Sequence, residues 1–242
     1  MRIWQLAMPA EAPLAPDAGR RFGAMVRRRL RREPVAYILG RKWFRHLELE
    51  VDGRVLIPRP ETELLVDVGI ELAPRTALDV GTGSGAVALA LAAELPGAEL
   101  VATDSSPAAL DLARANAERL GLGHRVAFEA GTLPERGGFD LLLANLPYVS
   151  EPDWPGLAPE IRDWEPREAL LAGPEGLDAI RTLLAALGER ARNGESVASA
   201  LALEVGAGQA AAVAELVSAA GYPRAETRRD LAGIERVVVG RR

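Results

Sequence analysis

Between Thr76 and Gly240 the chain alternates short apolar runs with longer stretches of helical periodicity, and few folds accept that order. The runs at 76–80, 99–103, 125–130, 139–144, 200–205 and 235–240 read as strands. Segments 64–72, 86–95, 107–120, 177–192 and 209–220 carry apolar residues at helical spacing; Pro74 stops the first, and Gly121 and Gly221 close the third and the last. Apolar strands separated by helices require a mostly parallel sheet covered on both faces, because parallel neighbours need a crossover and the helix supplies it. The expected fold class is α/β with a doubly wound sheet. The one long irregular stretch, 151–176, is rich in Pro and Gly and follows Tyr148 directly. Such loops in compact domains are functional or disordered.

With 242 residues, 48% of them hydrophobic, the chain suffices for one large domain or a domain with an appendage. Its net charge of −5 argues against a protein that grips a long duplex through a broad basic face. A local basic patch stays open. Arg20, Arg21, Arg27, Arg28, Arg29, Arg31, Arg32, Arg41, Lys42 and Arg45 crowd the first fifty residues, as a solvated helix face or as a docking surface for an acidic or RNA-bound partner. The lack of cysteine excludes disulfides, thiolate metal sites and a cysteine nucleophile. His46 and His124 stand far apart with no acid at ligand spacing, so no metal site is expected. No apolar run approaches the roughly 18–20 residues of a membrane span. Met1-Arg2-Ile3-Trp4 does not open a secretory signal, and the expectation is a soluble cytoplasmic protein. Residues 51–57 read as a hairpin around Asp52-Gly53 that leads into Pro58-Arg59-Pro60-Glu61-Thr62-Glu63.

Asp79-Val80-Gly81-Thr82-Gly83-Ser84-Gly85 lies where the first strand of the sheet turns into a helix. Glycines there permit unusual φ values and close approach of backbone to a ligand above the helix N-terminus, so a nucleotide-type pocket is expected. Gly81, Gly83 and Ala86 also satisfy the dinucleotide pattern, with Asp104 at the distance of a ribose-binding acid. The loop alone does not separate a nicotinamide cofactor from S-adenosylmethionine. Asp79 shifts the balance, since a carboxylate repels pyrophosphate but suits the ammonium and sulfonium of S-adenosylmethionine. Two plainer readings stand beside these: Asp79 as a hydrogen-bond partner of its own loop, and Asp104 as a helix cap before Pro107.

The run 139–144 ends in Asn145-Leu146-Pro147-Tyr148, beyond the carboxyl end of a strand expected next to the first. A surface turn is one reading. Ligands of open α/β sheets bind beyond such strand ends, which would put Asn145 against the transferable methyl group. That chemistry suits an amide or amino acceptor. The Asn145 side-chain carbonyl and the Leu146 main-chain carbonyl would take the two protons of an NH₂ group and orient its nitrogen. Tyr148 would wall the planar group and Pro147 would stiffen the turn. No strong general base or metal is required. Glu204, at the end of another strand, would either touch the substrate pocket or bond a neighbouring loop. Trp154 and Trp164 in the long loop read as packing residues or as a stacking platform. Ser84 has no histidine partner in the pattern, which gives no support to a hydrolase elbow.

These segments together resemble the protein-(glutamine-N5) methyltransferases that modify the Gly-Gly-Gln glutamine of class-1 peptide chain release factors. The resemblance runs from about Glu33 to the end of the chain. It rests on Glu33-Pro34-Val35-Ala36-Tyr37-Ile38-Leu39-Gly40, on residues 56–63, on the glycine loop with Asp104, on Asn145–Tyr148 and on Ala172-Gly173-Pro174-Glu175-Gly176-Leu177. The glycine loop is common to class I methyltransferases, and an Asn-Pro-Pro-Tyr type motif also serves enzymes that methylate bases. The combination with the two upstream segments is what is specific.

The resemblance implies a seven-stranded, Rossmann-like class I methyltransferase domain over 61–242, a hairpin linker over 51–60, and a small helical domain over 1–50 that recognises the substrate protein. It implies S-adenosylmethionine held by Asp79, Gly81, Thr82, Gly83, Ser84, Gly85, Asp104, Thr132 and Asn145. Asn145, Leu146, Pro147 and Tyr148 would receive the glutamine of the release factor. Leu146 replaces the family's usual first proline but keeps the carbonyl that the role needs. Ala130-Gly131-Thr132-Leu133 lacks the usual acid near adenine, so contacts there fall to main chain, to Thr132 or to Glu129. The rival readings are an N-methyltransferase for an exocyclic amine of a nucleic-acid base, a cofactor-binding module without catalysis, and a dehydrogenase.

Overall fold

The computed structural model describes residues 16–242; the opening Met1-Arg2-Ile3-Trp4 and the first fifteen residues of the expected N-terminal domain lie outside that range. The chain begins with α1 (Pro16–Leu30) and α2 (Val35–Leu39), then a two-stranded hairpin of β1 (Arg41–Phe44) and β2 (Leu47–Glu50). A 3-10 turn at Pro60–Thr62 leads into α3 (Glu63–Leu72). Next come β3 (Thr76–Val80), α4 (Ala86–Glu94), β4 (Glu99–Asp104), α5 (Pro107–Arg119), β5 (Val126–Ala130) and β6 (Phe139–Ala144). After the irregular stretch, which holds α6 (Pro159–Arg162), follow α7 (Asp178–Arg192), β7 (Ala198–Glu204), α8 (Ala210–Ala219), β8 (Arg224–Arg229) and β9 (Glu235–Arg241).

Seven strands form one sheet in the order β5-β4-β3-β6-β7-β9-β8. The first five in that order are parallel, and β9 runs antiparallel to both β7 and β8. The expected doubly wound, seven-stranded and mostly parallel sheet is what the chain forms. Strand residues divide by parity between two cores, as a pleat requires. Leu141 and Leu143 meet α3 and α4 on one face, while Leu142 and Ala144 meet α7 and α8 on the other. The helix α4 is apolar all round because it is buried all round, from Ala86 to Ala92.

Two expectations are corrected. The hairpin lies at 41–50, with Arg45 and His46 at its turn and Arg41 opposite Glu50, not at 51–57. Val51, Val55 and Ile57 are all buried against Tyr37 and Leu112, so the segment runs extended without a partner strand. Asp52-Gly53 does turn the chain, with the Asp52 carboxylate accepting Arg54 N–H. The second correction is an added strand: β8 reads Arg-Ala-Glu-Thr-Arg-Arg, polar on both faces, and its exposed edge position explains why no apolar pattern marks it.

The N-terminal part is fastened to the sheet by polar contacts. Asn116 on α5, fully buried, bonds both main-chain groups of Glu50 and the carbonyl of Ser84, so one amide joins hairpin and glycine loop. Within the arginine cluster, Arg21, Arg28, Arg29, Arg32, Arg41 and Arg45 each pair with a carboxylate of this chain. Arg29 and Arg32 both reach Glu160 on α6, which ties α1 to the long loop. Among the described residues no helix is long and apolar enough to cross a membrane.

Candidate active site

Strand order reverses between β3 and β6, and there the carboxyl ends of the two strands open a crevice. The glycine loop leaves β3 on one side of it and Asn145 leaves β6 on the other. Main-chain N–H groups of Gly81 and Thr82 both donate to the Thr103 carbonyl, at 2.8 and 2.9 Å, which holds the loop over the end of β4. Gly81 has φ +73°, and a Cβ there would stand 3.1 Å from Leu146 Cδ2, so loop and Leu146 side chain pack directly. Gly83 has φ +55° with nothing within 4 Å of a Cβ, which leaves its face open to the cavity.

The cavity has a volume of ≈ 600 Å³, ordinary for a small-molecule site. Asp79, Gly81, Thr82, Gly83, Ser84, Asp104, Thr132, Asn145, Leu146 and Pro147 all line it. Gly85 does not: with φ +85° it begins α4, and a Cβ would collide with Leu89. Tyr148 does not either. It lines a small adjoining recess with Arg59, Asn145 and Leu146, and its ring sits against Gly206. Further walls, to which the sequence alone gives no cavity role, come from Arg54, Val55, Leu56, Pro58 and Arg59 of the linker, from Pro166, Glu168, Ala169, Leu171, Ala172 and Gly173 of the long loop, and from Thr182 and Leu183 of α7. Residues 56–63 and 172–177 had stood out as motifs, and their place in or beside these walls is what they share.

Asp79 is buried at the end of β3 and accepts Thr82 Oγ1–H at 2.6 Å and Ala88 N–H at 3.2 Å, both on Oδ2. Among the described residues Oδ1 accepts nothing, so one oxygen holds the loop and the other remains for the cavity. Burial pushes the Asp79 carboxyl up to about 6, against the pull of its two bonds. Asp104 accepts Gly83 N–H at 2.9 Å on one oxygen and Ser106 N–H at 2.8 Å on the other. The cap of α5 is Ser106, whose hydroxyl takes Ala109 N–H; Asp104 stands one step behind it, facing the cavity. Thr132 is exposed at the rim, and its carbonyl accepts the Thr103 hydroxyl.

Asn145 Nδ2 donates to Thr62 Oγ1 at 3.0 Å, which turns the Asn145 carbonyl oxygen away from Thr62. The long loop leaves after Tyr148 and returns to pair Leu171 with Val149. Glu165, buried in that loop, accepts Ile57 N–H at 2.9 Å and pairs with Arg59, clamping the two walls together. Trp154 stacks under Arg167 and Trp164 packs on the Tyr37 cluster, so both are packing residues. Glu204 lies outside the cavity wall, fully buried beside Thr62.

The sheet order, the crevice at the reversal and the glycine loop over α4 define a class I methyltransferase fold. A family described as "Methyltransferase domain" matches residues 77–164, and one described as "PrmC N-terminal domain" matches residues 2–40, so the likeness reaches well before Glu33. A release factor glutamine methyltransferase of Cereibacter sphaeroides is 41% identical over 98% of this chain and 84% of its own. The Geobacter sulfurreducens protein of the same name is 42% identical over 96% and 81%, and that of Gloeobacter violaceus 44% over 94% and 82%. The chain belongs to the release factor glutamine methyltransferase family. In fold alone it is similar to the catalytic domain of hMettl16 in complex with an RNA hairpin (TM-score 0.66, 15% identity, 86% of this chain and 81% of that one). It is likewise similar to the N-terminal domain of human METTL16 in complex with SAH (TM-score 0.56, 15% identity, covering 86% and 81%).

Proposed function

We propose that this protein transfers a methyl group from S-adenosylmethionine to the side-chain amide nitrogen of the glutamine in the Gly-Gly-Gln motif of class-1 peptide chain release factors, in the cytoplasm, as part of translation termination. The observation that carries the reading is Asn145, an amide at the carboxyl end of β6 whose nitrogen is tied back to Thr62. Its carbonyl oxygen is thereby left for the cavity, and the Leu146 carbonyl is the next acceptor along the chain. S-Adenosylmethionine supplies an electrophilic methyl carbon on a sulfonium. Asn145 Oδ1 and the Leu146 carbonyl would accept the two N–H groups of the glutamine, align its nitrogen and favour the positive charge that grows on it; the nitrogen takes the methyl and releases one proton to solvent, and the sulfur keeps the bonding pair as a neutral thioether. Tyr148 packs in the adjoining recess and limits how the amide can tilt.

The residues fit the cofactor. Gly83 leaves room for close approach, Asp79 offers a free carboxylate oxygen to the cationic end, and Asp104 lies where ribose hydroxyls are met in such folds. Asp104→Ala is expected to weaken S-adenosylmethionine binding about 10–100-fold, the worth of a charged hydrogen bond, in isothermal titration. Asp79 carries a pH signature. A carboxyl with a pKa of about 6 must lose its proton before it can face a cation, so affinity for S-adenosylmethionine falls as pH drops from about 7 to about 5. Asp79→Asn flattens that profile; an unchanged slope in the variant removes Asp79 from the cationic end.

Residues 1–50 are the part that recognises the release factor, 51–60 the linker and 61–242 the methyltransferase domain. A base N-methyltransferase is the less favoured reading, because relatives along nearly the whole chain carry the release-factor name. The deciding experiment incubates an unmethylated class-1 release factor with the protein and S-adenosylmethionine, followed by peptide mass spectrometry. The expected result is one added methyl on the Gly-Gly-Gln glutamine. Methyl transfer to RNA or DNA but to no release factor would reverse the assignment.

A further inference from the structure

Behind Asn145 lies a buried polar cluster whose carboxyl, Glu204, the reaction as proposed does not use. β6 and β7 are neighbours with Ala144 opposite Leu203, so Asn145 follows β6 beside Glu204, the last residue of β7. Glu204 is 1% exposed, and its Oε2 has no hydrogen-bond partner among the described residues. Thr62 is buried too, and it accepts the Asn145 amide proton. The hydroxyls of Thr62 and Tyr148 are the neutral polar groups near the Glu204 carboxyl, and Glu61 and Arg236 are the charged groups around it.

A hydroxyl that accepts from an amide still has its own proton to donate, and Glu204, buried on the strand next to that of Asn145, is the carboxyl at hand to take it. The two ends of an Asn side chain are alike in shape, so only their partners decide which end faces outward. Thr62 makes that decision once its own proton is committed elsewhere, because a hydroxyl with a free proton could donate to the amide oxygen instead. A carboxyl in the middle of a buried apolar run is costly unless something uses it, and leucine or valine would pack there without an orphaned oxygen. Burial pushes the Glu204 carboxyl up to about 7, and in either protonation state it keeps an oxygen that can accept from Thr62.

We propose that Glu204 and Thr62 are positioning residues for the transfer: Glu204 orients the Thr62 hydroxyl, and Thr62 fixes the Asn145 amide with its carbonyl oxygen toward the glutamine nitrogen. The inference rests on the role given to Asn145 above. Thr62→Val removes the hydroxyl at nearly constant volume. With an unmethylated release factor it is expected to lower kcat at least about tenfold while KM for the release factor and Kd for S-adenosylmethionine stay within about threefold. Thr62→Ser restores most of kcat, which a purely steric role would not do. Glu204→Leu lowers kcat more than Glu204→Gln, and adds nothing when combined with Thr62→Val.

Wild-type kcat in a folded Thr62→Val protein, an equal loss in Thr62→Ser, or additive losses in the double variant each overturn the positioning pair. Should Thr62→Val not fold, the order of Glu204→Leu and Glu204→Gln decides alone. A wild-type protein that methylates no release factor overturns the acceptor reading and the pair with it. An active wild type with an unaffected Thr62→Val overturns the pair only.

Discussion

Asn145→Ala is expected to lower kcat for methyl transfer to a release factor by about 10²–10³-fold, the range found when one preorganised hydrogen-bonding group is removed from a site of charge development. An amide nitrogen is a poor nucleophile because its lone pair is spread into the carbonyl. The transfer therefore depends on holding that nitrogen in line, with both N–H groups engaged by acceptors that favour the positive charge. Asn145 supplies one of the two. Its loss leaves Leu146 as a single anchor about which the amide can turn, and frees Thr62 Oγ1 from its partner. The glycine loop, Asp79 and Asp104 are untouched, so S-adenosylmethionine binding is expected to change by no more than about tenfold, or 1.4 kcal/mol. Single-turnover kinetics at saturating cofactor with calorimetry in parallel separates the two effects. Loss of cofactor binding equal to the loss of rate would make Asn145 a cofactor residue and remove it from amide orientation.

The site divides into a part that the sequence displays and a part that it hides. Gly81, Gly83 and Asp104 are legible because a backbone turning from strand to helix with positive φ needs glycine there, and because the spacing to the next strand end is set by the fold. Asn145 is legible for a similar reason: a polar amide after a run of buried leucines has to be accounted for. Thr62 is not, since it sits 83 residues away from the amide it holds. Arg59 and Glu165 are 106 residues apart, and each alone reads as an ordinary surface charge. Glu204 stands out as an oddity in Leu203-Glu204-Val205, and Thr62 lies in the 56–63 motif, yet nothing in either segment says that the two meet. Asp52-Gly53 points to a hairpin that lies instead at 41–50, because Asp-Gly is a strong turn signal whether or not the flanking residues have anything to pair with. Val51 and Val55 went to a core instead.

Arg59→Leu is expected to cost about 3 kcal/mol of stability, the lower end of what is lost when a buried carboxylate is stripped of its partner. The side chain of Glu165 is 1% exposed and that of Arg59 27%, so the pair is shielded enough for the charge left behind to matter. The bond from Ile57 N–H remains and keeps the loss from being larger. For a chain of this size the midpoint of thermal unfolding would fall by roughly 6–12 °C. The same contact holds Leu56, Pro58 and Arg59 from the linker to the long loop, whose Pro166, Glu168 and Ala169 line the same cavity. Weaker S-adenosylmethionine binding is expected with the lower midpoint. The double variant Arg59→Leu with Glu165→Gln removes the stranded charge while an amide oxygen still accepts from Ile57, and it is expected to recover most of the lost stability. A midpoint within about 2 °C of wild type in Arg59→Leu would show that water reaches Glu165 through this wall. A double variant as unstable as the single one would assign the loss to the packing of the Arg59 side chain and not to its charge.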